Sequence, residues 1–208
     1  MTTPQTFTPY EIDALKELTN IGMGKSGAML SEIFEHRVTL SVPDISVVDG
    51  DKLSRLSEKF AEHSQVVNII HQSFIGDIEG RSTFIIGEHN FDGLVEILGY
   101  DKSDALDEKR QCEMLLDLSN AVNSTCLSGL AEQLGLDIEL AHPLIASFNK
   151  PNSELKDFIF IQKNQDVYDT LLFEIKFFIQ DLDLYCDNVI SLKTDCLQHL
   201  KNALGQVI

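Results

Sequence analysis

Two stretches of the chain carry an amide and two acids at spacings that put all three on one side of a helix. Asp13, Glu17 and Asn20 form the first set; Glu113, Asp117 and Asn120 form the second. Positions i, i+4 and i+7 are neighbours along a helical face, so each set predicts a surface from which a carboxylate and an amide reach outward together. A carboxamide donates and accepts hydrogen bonds and carries no charge. It can therefore orient a water molecule beside an anion, where another carboxylate would repel that anion. Phosphoryl transfer is the chemistry that gains most from such a group, because its loose transition state asks for a positioned nucleophile. An acceleration of about 100-fold needs only about 2.7 kcal/mol off the barrier. Small residues, Gly24 and Ser124, lie one turn beyond the amides and would let a partner approach each helix closely.

Both sets belong to a longer duplication. Each Asn stands 23 positions before a proline, Pro43 or Pro143, and the copies are 100 residues apart. Laid over each other without a gap, Asp13–Pro43 and Glu113–Pro143 match at Leu15/Leu115, Leu18/Leu118, Leu30/Leu130, Glu32/Glu132 and Leu40/Leu140, with Thr19/Ser119 and Val38/Ile138 as near matches. A unit this long is not a solenoid repeat. It predicts two halves of one pseudo-symmetric domain over residues 1–208, spanning about 8–100 and 104–208. The prolines mark the unit, and each is expected to end a strand or fix a turn rather than to touch a substrate.

The elements that must position these residues follow from periodicity. Thr8, Pro9 and Glu11 read as an N-cap, a first helical proline and a capping box, and a helix runs from there to about Glu35. Leu15, Leu18, Gly22, Ser26, Met29 and Ile33 are expected on its inner face, with Asp13, Glu17, Asn20 and Gly24 opposite. In the second copy Leu115, Leu118, Val122, Cys126 and Gly129 are expected inside, and Glu113, Asp117, Asn120 and Ser124 outside. Alternating segments at Arg37–Val42 and Asp137–Ala141 predict strands. Val66–Ile75 and Arg81–Ile86 flank Gly76–Gly80 as a hairpin, and Phe91–Leu98 is a short helix. Thr170–Ile179, Leu184–Leu192 and Thr194–Leu204 echo them, with a junction at Asp101–Asp104 and a surface loop at Ser147–Glu154. The predicted class is α+β, with a mostly antiparallel sheet and two long helices bearing the motifs.

Composition narrows the function classes. A net charge of −17 argues against nucleic acid, whose phosphates need basic neutralisation, and against anionic membrane surfaces. No apolar run approaches a membrane span, and the first residues lack the basic and apolar regions of a secretory signal, so a cytoplasmic location is expected. Cys112, Cys126, Cys186 and Cys196 form no C-x-x-C pair and read as reduced core thiols, and the six histidines lack ligand spacing, so no metal is expected. The run Gly22–Gly27 spells G-x-G-x-x-G with an internal G-K-S. It follows a capped helix rather than a strand, and the second copy has Val122, Ser124 and Leu127 at the corresponding positions, so close helix packing is the better reading.

The full pattern, (Asp/Ser)-x3-Glu-x2-Asn-x22-Pro, resembles the signature of the CheC/CheX/FliY family of response-regulator phosphatases. Asp13, Glu17, Asn20 and Pro43 match it throughout. Glu113, Asp117, Asn120 and Pro143 match with Asp in place of the motif Glu, and Glu in place of Asp/Ser. Two copies in one chain look most like CheC. The resemblance implies a pseudo-two-fold CheC-like domain that hydrolyses the aspartyl-phosphate of a CheY-type receiver. Asn20 and Asn120 would orient the attacking water, Glu17 and Asp117 would pair with the receiver's lysine, and Asp13, Gly24, Glu113 and Ser124 would contact the receiver. It also implies that Mg²⁺ comes with the receiver, the chain having no cofactor of its own, and that CheD is a further partner. Because Asp117 lacks one methylene of Glu, its reach is shorter by roughly 1.3 Å. The second site is thus expected to work slowly, to dock without hydrolysing, or to favour another receiver. The family fold also resembles the middle domain of the flagellar switch protein FliM, so the alternative is a non-catalytic receiver-binding adaptor or switch component.

Overall fold

Helix α1 (Pro9–Phe34) starts where its capping residues place it. Thr8 Oγ1 accepts from the Glu11 backbone N–H at 3.2 Å, and the Glu11 carboxylate accepts from the Thr8 N–H at 2.6 Å. The computed structural model describes residues 7–41, 43–47, 65–87, 91–103, 107–151, 171–179, 182, 184–192 and 194–208. After α1 come β1 (Val38–Leu40), β2 (Asp44–Val47), β3 (Val66–Gly76), β4 (Gly80–Gly87) and α2 (Phe91–Leu98). The second half supplies α3 (Glu108–Leu134), β5 (Ile138–Leu140), β6 (Leu144–Pro151), β7 (Leu171–Ile179), β8 (Leu184–Leu192) and α4 (Leu197–Val207), the last preceded by a 3-10 turn at Thr194–Cys196. Pro43 and Pro143 each stand immediately before the second strand after a long helix.

The described strands form one antiparallel sheet in the order β1-β7-β8-β4-β3-β5, with β2 added on β7 and β6 on β3. Its register carries the duplication across the molecule. Leu40 pairs with Phe177 as Leu140 pairs with Phe74, and Ile45 pairs with Phe173 as Ile145 pairs with Ile70. At the centre, Ser82 pairs with Ile190 and Asn188 with Phe84. Ser82 and Asn188 are therefore exchanged by the pseudo-two-fold. Gln72, opposite Ser82, has Ile175, opposite Asn188, as its counterpart.

Helices α1 and α3 lie against each other in opposite directions over one face of this sheet. A Cβ on Gly22 would come within 2.6 Å of the Gly129 carbonyl oxygen, and Ser26 Oγ donates to the Thr125 carbonyl at 3.0 Å. That contact is what Gly22 provides: backbone meets backbone where any side chain would clash. The reading of the glycine run as a packing device holds at Gly22, whereas a Cβ on Gly24 would meet nothing within 4 Å.

Three expectations need correction. The buried stripe of α1 is Leu15, Thr19, Gly22, Met23, Ser26, Leu30 and Phe34, whereas Met29 and Ile33, expected inside, are 55% and 54% exposed. The close approach of α3 at Gly22 and Ser26 turns the covered face toward Met23 and Leu30. The segment expected to be a surface loop from Ser147 is instead strand β6 as far as Pro151, with residues 152–154 outside the described set. Its pairing with β3 shifts register twice, and Asn149 takes φ 49°; such an irregular edge shows no clean alternation. Of the four cysteines, Cys126 and Cys186 are core thiols, but Cys112 and Cys196 are only half-buried; none is in a disulfide. Val42, Thr170 and Asp104 from the expected elements lie outside the described residues.

Candidate functional site

The outward faces of α1 and α3 carry the two acid and amide sets. In the first set Asp13, Glu17, Asn20 and Gly24 are all exposed. Among the described residues the Asp13, Glu17 and Asn20 side chains make no hydrogen bond or ion pair. Asn20 and Gly24 stand at the lip of a cavity of about 390 Å³ between α1 and β1, whose lining includes Met23, Gly27, Arg37 and Thr39. Gly27 is part of this lining; its counterpart in the second half is Leu127, which is buried.

The second set is composed the same way and wired differently. Asp117 and Asn120 are exposed, whereas Glu113 and Ser124 are half-buried. Arg110 Nη1 donates to Glu113 at 2.6 Å, and Lys109 Nζ lies 3.9 Å from the same carboxylate. The Tyr100 hydroxyl donates to Asp117 Oδ2 at 2.8 Å. That hydrogen bond, with desolvation and the nearby negative charge, pushes the Tyr100 phenol up to about 12. Ser124 Oγ donates to the Ala121 carbonyl of its own helix at 3.1 Å, so its hydroxyl is folded back onto the helix backbone. Asn120 Oδ1 accepts from Gln72 Nε2 at 2.9 Å.

Behind Asn120 stands a buried chain of amides that the sequence did not disclose. Gln72 Nε2 also donates to the Ala141 carbonyl at 2.9 Å, Asn123 Nδ2 donates to Gln72 Oε1 at 2.9 Å, and Asn188 Nδ2 donates to Asn123 Oδ1 at 2.7 Å. The Ser82 hydroxyl lies 2.7 Å from Asn123 Oδ1 and 2.5 Å from Asn188 Oδ1 and shares its one proton between them. Asn123 offered a faint signal, being an amide one turn after Asn120 where the first copy has Met23. Gln72 and Tyr100 offered none, because only the sheet order and the start of α3 bring them near the motif.

Comparison with known proteins completes the picture of this surface. A family model described as the CheC-like family matches residues 11–47, the stretch that holds Asp13, Glu17, Asn20 and Pro43. Among solved structures, Thermotoga maritima FliY superposes with a TM-score of 0.64 at 15% identity, covering 98% of this chain and 100% of that one. The fold is CheC-like. A chemotaxis protein CheX from Desulfovibrio desulfuricans shares the fold at a TM-score of 0.53 and 12% identity, over 85% of this chain and 99% of that one. The FliM middle domain from H. pylori does so at 0.57 and 9%, over 95% and 99%. At these identities the structures establish the fold alone, and the sequence likeness to the CheC-like family covers residues 11–47. No described helix is long and apolar enough to cross a membrane.

Proposed function

We propose that this CheC-like chain is a phosphatase acting on the aspartyl-phosphate of a CheY-type receiver domain. The observation that carries the reading is the first motif: the exposed Glu17 and Asn20 on α1, without partners among the described residues, inside the segment that matches the CheC-like family. Asn20 enters the receiver's acyl-phosphate site and orients a water for in-line attack, while Glu17 pairs with the receiver's lysine. Asp13 and Gly24 line the same docking face, and the Gly24 surface lets the receiver's backbone approach the helix. Mg²⁺ is part of the phospho-receiver substrate. Asn120 and Asp117 form a second, slower site flanked by Glu113 and Ser124.

Adding the protein to an Mg²⁺-containing phospho-receiver accelerates phosphate release, and Asn20→Ala combined with Asn120→Ala removes the acceleration while complex formation persists. The FliM middle domain, which shares this fold, favours a second reading, a receiver-binding switch component or adaptor. That reading stands if the unsubstituted chain binds cognate phospho-receivers and leaves their lifetimes unchanged.

A further inference from the structure

The amide chain beneath Asn120 has a direction. The Ala141 carbonyl can only accept, so it fixes which end of the Gln72 amide carries the hydrogens. Both Gln72 Nε2 hydrogens are thereby used, one on Ala141 and one on Asn120 Oδ1. Asn120 must then turn its oxygen inward and its Nδ2 hydrogens toward solvent. Upstream, Asn188 donates to Asn123 and Asn123 to Gln72. Three amide-to-amide bonds thus run the same way, an arrangement in which each bond polarises the next. The open end of the series is the N–H pair of Asn120.

The fold does not require polar groups at these places. The pseudo-two-fold counterparts of Asn123 and Gln72 are Met23 and Ile175, both buried in the core. Gln72 is 1% exposed, and an amide buried without partners is destabilising. The amides are kept beneath the motif on whose exposed Asn120 they terminate. Asn20 has no such backing.

We propose that Gln72, backed by Asn123, is a positioning residue for the second site: it locks the Asn120 side chain with its oxygen inward and presents two polarised N–H donors to an anionic oxygen of the docked phospho-receiver. The inference deepens the proposed function and rests on it for the identity of the acceptor. The locked amide itself is a property of the unbound chain. Asn20, by contrast, rotates freely until a partner engages it.

The ¹⁵N–¹H signals of the two side-chain amides in the full chain test the lock without any activity. The Asn120 amide should show high order and the Asn20 amide low order, and Gln72→Met should bring Asn120 down to the level of Asn20. Equal mobility of the two amides in the unsubstituted chain, or an Asn120 signal unmoved by Gln72→Met, overturns the proposal. Where Gln72→Met alone fails to fold, Gln72→Met with Asn123→Met gives an apolar pair like the Met23 and Ile175 counterparts and carries the same test. Kinetics then read the consequence. With Asn20→Ala in place, Gln72→Met should lower kcat on a phospho-receiver about tenfold with KM nearly unchanged; with Asn120→Ala in place it should change neither. An equal fall in both backgrounds marks Gln72 as merely structural and overturns its positioning role. If the unsubstituted chain does not accelerate phosphate release, the phosphatase reading falls, and the amide order alone decides the lock.

Discussion

The two halves of this molecule place the same kinds of residue on the same helical face and then treat them in opposite ways. In the first, Asp13, Glu17 and Asn20 are left without partners among the described residues, and Asn20 lines a cavity together with Gly24 and Gly27. In the second, Arg110 and Lys109 hold Glu113, Tyr100 holds Asp117, and Gln72 holds Asn120. An unpartnered set keeps its full interaction free energy for an incoming protein but must order its side chains on binding, at about 0.5–1.5 kcal/mol for each. A partnered set is already ordered, and it must give up existing contacts where the partner needs the same atoms. Duplication supplied two copies of one surface; the core beneath them made the copies unequal.

The largest test of that inequality separates the amides. Asn20→Ala should remove most of the receiver dephosphorylation, a loss on the order of 100-fold, and Asn120→Ala should remove less. Single-turnover rates for the two variants check this, and a larger loss from Asn120→Ala would reverse the ranking of the sites. Glu17→Ala should weaken receiver association more than Asn20→Ala does, because it removes an ion pair rather than a positioned water; titration calorimetry distinguishes them.

A second test concerns the scaffold that holds both faces apart. The closest contacts, Gly22 with Gly129 and Ser26 with Thr125, set Asn20 level with Ala131 and Asn120 level with Ser31. At 1.5 Å per residue the amides are then offset by about 16 Å along the helix pair. Gly22→Ala drives a methyl into the Gly129 carbonyl and should destabilise the chain by about 1–3 kcal/mol, despite alanine's better helix propensity. Gly24→Ala meets nothing within 4 Å and should stabilise it by up to about 1 kcal/mol, while hindering approach of a receiver to the first face. Urea unfolding of the two variants, with receiver binding by the second, separates the structural glycine from the docking one.

How much of this could be read from the chain depends on the range of the interaction involved. Helix α2 and strand β8 fall on the residues that local periodicity marked, Phe91–Leu98 and Leu184–Leu192. The capping box at Thr8 and Glu11 is as local as a signal can be. Met29 and Ile33 were misplaced because the covered side of α1 is set by where α3 crosses it, and that crossing depends on Gly129, far away in the sequence. The motif acids and amides were legible as exposed residues except Glu113, which is half-buried. Their partners were not, since Gln72 reaches Asn120 only through the order of β3 in the sheet, and no spacing in the sequence encodes that neighbour.

The third test asks whether Asp117 is limited by its length. Asp117→Glu restores the methylene that the family motif has, and should raise the rate measured in an Asn20→Ala background by about tenfold. If the rate stays flat, reach is not what slows the second site, and the Tyr100 contact becomes the better explanation.

The smallest expected effect isolates that contact. Tyr100 gives its proton to Asp117, so the folded chain favours the neutral phenol, and its titration midpoint moves from the ordinary 10 up to about 12. The sign follows from the raised value: the contribution of this bond to stability is complete below pH 10 and disappears as pH climbs through about 12. Absorbance at the phenolate band should therefore show one tyrosine titrating late, and Asp117→Asn should bring it back toward 10. Tyr100→Phe releases the Asp117 carboxylate at neutral pH and should tighten receiver binding at the second site by a few-fold, the worth of about 1 kcal/mol of hydrogen bond no longer broken on docking. No change in affinity would mean that the receiver engages Asp117 through its other oxygen, leaving Tyr100 in place, and the two halves would then differ in preorganisation alone.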